Sequence, residues 1–392
     1  MRYDVLDGFR GFFLVFMVVS HVNALVHTTI GKLNHQYLVW INDAAGFVFV
    51  SGLVVALVYG RIFDRFGFRA ASRATFARMR TIYLYHAALI LILLGLAHLP
   101  FAENAFYLRH YRAEPVWFTV SSLGLFSASL HMGILPMYII FMAFLPFVLV
   151  ALSRGHWPTV LASSFFLWLF GQTRLAALGI DALQARLAAE GIDIWMGMYF
   201  NIFSWQLIFF SGSIIGYKIS KGNLDLGWLK SPQIRVLAIA SLVFLLLLAI
   251  WRRAVFGEML PQDWTAWYMD ETLRANLAPI SLFSTACFLL LFSWLLVAGG
   301  QDRLPVVRLL AGALSWLVRH PALVFLGQHS LQVFSFHILL VYLIHIFLAG
   351  RTPGELAGAV ILLLSVVSLW IPARLHAMIR RAREGARRPA GA

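Results

Sequence analysis

The stretch LDGFRGFFLVFMVVSH, residues 6–21, decides how the whole chain is read. Asp7, Arg10, Leu14, Met17 and His21 follow each other at steps of three and four, so on a helix they share one face. Eleven residues at 1.5 Å each put His21 roughly 16 Å beyond Arg10 along the axis. If the helix enters a bilayer at Arg10, the imidazole reaches the middle of the hydrocarbon. Ionisable side chains are costly there and mark function more often than decoration.

The composition supports a bilayer. Of 392 residues 61% are apolar and 12% charged, and mean hydropathy is +0.80. A soluble chain carries about twice that share of charge. Apolar runs of about 20 residues recur near 9–28, 40–60, 79–99, 134–153, 157–171, 200–218, 235–251, 279–298, 323–349 and 355–375. Twenty residues of helix cross hydrocarbon. The expected fold is all-α, a polytopic integral membrane protein with about ten transmembrane helices. Residues 1–376 read as one transmembrane domain and 377–392 as a basic cytoplasmic tail resting on the inner leaflet. The first span holds charges and lacks a small-residue cleavage site, so it reads as a retained helix rather than a signal peptide.

Charge sets the orientation. The net charge is +14, and most of the 31 Lys and Arg fall between alternate spans, from Arg2, Arg10 and Arg61–Arg80 to the arginines of 374–388. That bias places both termini in the cytoplasm and explains the basic balance without nucleic acid. Glu103, Glu114, Asp181, Glu190, Asp193, Glu258, Asp263, Asp270 and Glu271 fall in outer loops. Tyr107, Tyr111 and Trp117, then Trp264, Trp267 and Tyr268, stand among them, as interfacial belts or as a surface on which sugars stack. Cys287 is alone, which excludes an internal disulfide framework and a thiolate metal cluster.

No metal-ligand spacing, paired carboxylates, glycine-rich phosphate loop or Ser-His-Asp elbow is visible. A histidine is the natural general base at neutral pH. His21 has that character, although a bond to a neighbouring helix would equally explain a membrane histidine. RATFARMRTIYLYH, residues 73–86, brings Arg73, Arg78 and Arg80 to the mouth of the third span. They would clamp phosphates or mark the inner interface. DAAGFVFVSGLVVALVYG, residues 43–60, opens on Asp43 and holds Ser51 and Gly52, small residues that let helices approach. LGQHSLQVFSFHILLVYLIH, residues 326–345, offers Gln328, His329, Ser330, Gln332 and His337 as acceptor or oxyanion groups. YFNIFSWQLIFFSG, residues 199–212, offers Asn201, Trp205 and Gln206 as acceptor-binding groups, with helix-to-helix hydrogen bonding the equal alternative.

LDGFRG with its His21, then FVFVSGL, then RTIYLY, resembles the membrane-bound acyltransferase type-3 family. FNIFSWQLIFFSG and LGQHSLQVFSFH resemble its OpgC branch, which succinylates osmoregulated periplasmic glucans. The resemblance covers nearly the whole order of spans. It implies a multi-pass enzyme of the bacterial inner membrane that takes an acyl group from cytoplasmic acyl-CoA and delivers it to a glucan hydroxyl outside. Arg10 and His21 match the family's first-span arginine and histidine. The family often shows two third-span arginines three apart; here position 77 is Ala and the second cation is Arg78, while Arg80 matches the family's arginine at RTIYLY. No attached esterase-like domain is expected, which leaves the acceptor to the membrane domain and its loops.

The expected mechanism keeps the donor's phosphates with Arg10, Arg73, Arg78 and Arg80, while His21, with Asp7 and Arg10 near it, deprotonates the acceptor hydroxyl. No permanently bound cofactor is expected; succinyl-CoA is the expected donor. The expected partners are a periplasmic glucan, the lipid bilayer, and a second copy of the chain or glucan-synthesis proteins. A glycan or organic-anion transporter, or flippase, is the rival, since intramembrane histidines also suit proton coupling.

Overall fold

A computed structural model describes residues 4–34, 43–256, 259, 261, 263 and 272–386. Trp264, Trp267 and Tyr268 of the third outer loop lie outside the described residues, as do Glu258, Asp270, Glu271, Arg2, Arg387 and Arg388. The described chain is helix and turn, with one isolated bridge between Ser127 and Gly197. In hydrocarbon every backbone N–H and C=O must be paired within its own segment, which a helix alone does locally.

The principal helices are α1 (Asp4–Val26), α2 (Asp43–Ala97), α3 (Ile134–Ser153), α4 (Trp157–Gly171), α5 (Ile202–Ser220) and α6 (Pro232–Phe256). They continue with α7 (Pro279–Val297), α8 (Pro305–Arg319), α9 (Pro321–Gln328), α10 (Ser330–Leu348), α11 (Glu355–Ser368) and α12 (Trp370–Ala386). Among the described residues eight helical stretches are long and apolar enough to cross a membrane, nine if α8 and α9 count as one bent span. The protein is an all-α, polytopic membrane protein.

Two segments differ from the sequence expectation. The second and third runs belong to one helix: α2 has 55 residues, about 82 Å if straight. It is broken at Gly67, whose φ of 79° suits a residue without Cβ. Arms 43–66 and 68–97 each match a bilayer, and Arg61–Arg80 lie on helix rather than on a connecting loop. The run 323–349 is two helices, because His329 leaves helical geometry at φ −113°, ψ 27°. Before it, α8 and α9 meet at a bend of 49°. Residues 377–386 of the expected basic tail are helical, as the last turns of α12.

The chain forms two compact units, Met1–Asn34 with Ala313–Ala392, and His35–Gly312. In the first, α1 lies against α9 at backbone contact. A Cβ on Gly11 would fall 2.0 Å from the Leu323 carbonyl oxygen, and one on Gly327 would fall 1.7 Å from that of Asp7. Gly11 of LDGFRG is therefore the surface on which α9 rests, and Gly8 meets the Val318 carbonyl at the end of α8 in the same way. In the second, the 43–66 arm meets α5 the same way, with Gly52 against the Phe209 carbonyl and Ser213 Oγ donating to the Gly52 carbonyl at 3.2 Å. Small residues allow this approach between lipid-embedded helices.

Candidate functional site

One face of α1 builds the site. Leu14 and Met17 are buried, while half-buried Arg10 and His21, at either end of that face, both reach α10. The Arg10 guanidinium donates to Ser330 Oγ. His21 Nδ1 lies 3.1 Å from His337 Nε2, with the two rings nearly parallel. Ser330, Phe334 and His337 are spaced i, i+4, i+7 and share one face of α10. Since Arg10 meets Ser330 and His21 meets His337, the two helices run in the same direction.

Hydrogen bonding fixes the protons on this pair. His337 is fully buried, and its Nδ1 lies 2.7 Å from the Phe334 carbonyl oxygen. A carbonyl only accepts, so Nδ1 carries the proton. In the neutral ring Nε2 is then the acceptor, and His21 Nδ1 must donate to it. Neutral His21 consequently holds its lone pair on Nε2. A second histidine placed in this way can orient the first and set its tautomer, which is one of the two duties of the carboxylate in the Ser-His-Asp triad.

At the Arg10 end, His329 is buried with its Nδ1 2.8 Å from His376 Nδ1 and its ring edge-on to Phe325. One ring donates and the other accepts, so the bonded pair carries at most one positive charge. Gln328 and Gln332 flank it, both half-buried. Ser335 Oγ is buried with no hydrogen-bond partner among the described residues. Asp7 is half-buried in the first turn of α1. His376 escaped the sequence reading, which ended a span at 375. The signal was present: His376, Arg380 and Arg383 stand at i, i+4, i+7.

The remaining candidates belong to the second unit. Arg78 is half-buried and Arg73 and Arg80 are exposed on the 68–97 arm; Asp43 is buried at the start of α2. Asn201 caps α5: its side-chain oxygen accepts from the Phe203 and Ser204 amides, and its Nδ2 donates to the Gly171 carbonyl at 2.9 Å. Trp205 is fully buried and donates to the Ala275 carbonyl, and Gln206 donates to the Ser164 carbonyl at 2.6 Å. These three hold α5 to its neighbours. His86, likewise, bonds the Ser122 carbonyl at 3.0 Å.

Between α7 and α8, Asp302 accepts from Arg235, in the first turn of α6, through Nε at 2.6 Å and Nη2 at 3.0 Å. That guanidinium holds the carboxyl below the usual range. Lys221 reaches Asp64 at 2.8 Å, and the hydrogen bond pushes the ammonium's pKa up.

A family model described as OpgC protein matches residues 2–381. No curated protein matches the chain, and no solved structure does.

Proposed function

The chain belongs to the OpgC protein family, whose role is of the acyltransferase type in glucan modification, and from that premise we propose a membrane-embedded O-acyltransferase with His21 as general base. The donor is cytoplasmic acyl-CoA, most simply succinyl-CoA, the acceptor a hydroxyl of a periplasmic glucan, and the setting the bacterial inner membrane. His21 Nε2 takes the proton of the glucan hydroxyl as its oxygen attacks the thioester carbonyl. The new C–O bond forms an ester, the C–S bond breaks, and the proton passes from His21 to the departing thiolate of CoA. Gln328, His329 and Gln332 are candidates to donate to the oxyanion. Arg10, Arg73, Arg78 and Arg80 are candidates for the donor's anionic groups.

The observation that carries this reading is the ordered hydrogen-bond chain Phe334 carbonyl, His337, His21. With His21 neutral, this chain assigns the lone pair to its Nε2, on the helix that bears Arg10, which supports a base at that atom. The test incubates purified protein with succinyl-CoA and a glucan and weighs the glucan by mass spectrometry. A succinyl mass gain that His21→Ala abolishes supports the proposal. Glucan that stays unmodified but crosses proteoliposome membranes would make the protein a transporter. Release of CoA before glucan is added would replace direct attack by an acyl-histidine intermediate.

A further inference from the structure

Beside the His329–His376 pair lies a groove of about 240 Å³ lined by His376, Ile379, Arg380, Arg383 and Glu384. We propose that it receives a phosphate group from the nucleotide end of the acyl donor. The proposal rests on the acyl-CoA reading above and adds where that donor is gripped.

Three observations point the same way. The lining offers two guanidinium groups and an imidazole against one carboxylate, and that carboxylate, Glu384, already accepts from Arg380 Nε at 2.7 Å. Bonding through Nε orients the guanidinium, whose remaining N–H groups suit a phosphate's oxygens. The volume is below the roughly 300–1,000 Å³ of pockets that enclose whole ligands, so it fits an anionic end rather than an entire coenzyme. The groove is also joined to the proposed catalytic helix. His376 bonds His329, the next residue Ser330 accepts from Arg10, and Arg10 shares a helix face with His21. A phosphate held at Arg380 and Arg383 would leave the donor's pantetheine arm beside Arg10, with three turns of α1 between that point and the imidazole.

Basic residues at helical spacing also suit an acidic lipid headgroup, the same phosphate chemistry from another source. The link to Ser330 and Arg10 favours the donor, because a lipid anchor has no use for it.

The experiment measures binding of free coenzyme A, and of pantetheine as the phosphate-free probe, to full-length protein in nanodiscs. The discs are of phosphatidylcholine alone or with phosphatidylglycerol, and thermal melting verifies folding. Arg380→Gln/Arg383→Gln is expected to lose about tenfold or more in coenzyme A affinity in both lipids and to bind pantetheine like the wild type. Arg380→Lys/Arg383→Lys is expected to keep part of the affinity. Unchanged coenzyme A affinity in the Gln variant overturns the proposal. So does a loss seen only with phosphatidylglycerol present, which assigns the groove to lipid. Wild-type protein that binds no coenzyme A in either lipid overturns the acyl-CoA reading itself.

Discussion

His21 stands 3.1 Å from His337 through Nδ1, while the far side of His337 is tied to its own helix at the Phe334 carbonyl. On the proposed mechanism this proton order separates the duties of the two rings: His21 is the ring that would meet substrate, and His337 sets its tautomer. Replacing His337 by Ala is expected to lower kcat about a hundredfold, within the range of general-base effects, with donor KM little changed. His337→Gln, whose amide oxygen can accept from His21 Nδ1, is expected to recover part of the rate. Steady-state kinetics on both variants check this, and a His337→Ala enzyme of normal kcat would refute the assignment.

Arg10 and Ser330 form the second contact between the same helices. Ser330→Ala is expected to raise donor KM about tenfold, the low end of a hydrogen bond to a charged group at roughly 1.5–3 kcal/mol. Arg10→Lys should not restore the wild-type value, since an ammonium lacks the planar fork of guanidinium. Titrating donor at saturating glucan, then glucan at saturating donor, reads the asymmetry; equal effects on both KM values would count against it.

Gly11 has no room for a side chain, because α9 already occupies the place of its Cβ. Gly11→Ala must push α1 and α9 apart, with a cost of about 1–3 kcal/mol. Melting of the purified protein should show it as a lower Tm. An unshifted Tm would mean that α9 does not rest on this face.

Asn201 acts as a helix cap. Asn201→Ala is expected to cost about 1 kcal/mol of stability, and Asn201→Ser much less. Turnover per folded molecule should stay constant in both, provided the residue only caps. Acceptor KM measured alongside Tm separates this from glucan binding.

Asp302 has a carboxyl pKa below its ordinary value because Arg235 donates two hydrogen bonds to it. The folded protein therefore holds this proton less tightly than the unfolded chain. The stabilisation is complete above the ordinary Asp pKa, about 3.9, and is lost as pH falls through the lower folded value. Asp302→Asn should melt lower than wild type at neutral pH, and the gap should close in acid. A gap that persists there would place the effect in packing instead of charge.

Some of this was readable in the chain and some was not. The shared face of Arg10 and His21 follows from helical period alone. So does the membrane setting, from runs of apolar residues about as long as a bilayer is thick. The break at His329 left only a weak trace, Gly327 followed by the polar Gln328, His329 and Ser330, because a single glycine inside an apolar run is tolerated in a helix at a cost of about 1 kcal/mol. Asn201, Trp205 and Gln206 carried two readings from sequence, and the partners they meet on other segments give each a structural duty.

The sequence by itself determined the class of fold and the helix that carries the imidazole, because helical spacing and hydrophobic length are local properties. The tertiary structure alone decided that His337 is the partner of His21, that Ser330 meets Arg10, and that His376 joins His329. Those pairs are separated by 316, 320 and 47 residues. Which distant side chains meet depends on how closely helix backbones can approach, and at α1 that is set by glycines at the contact.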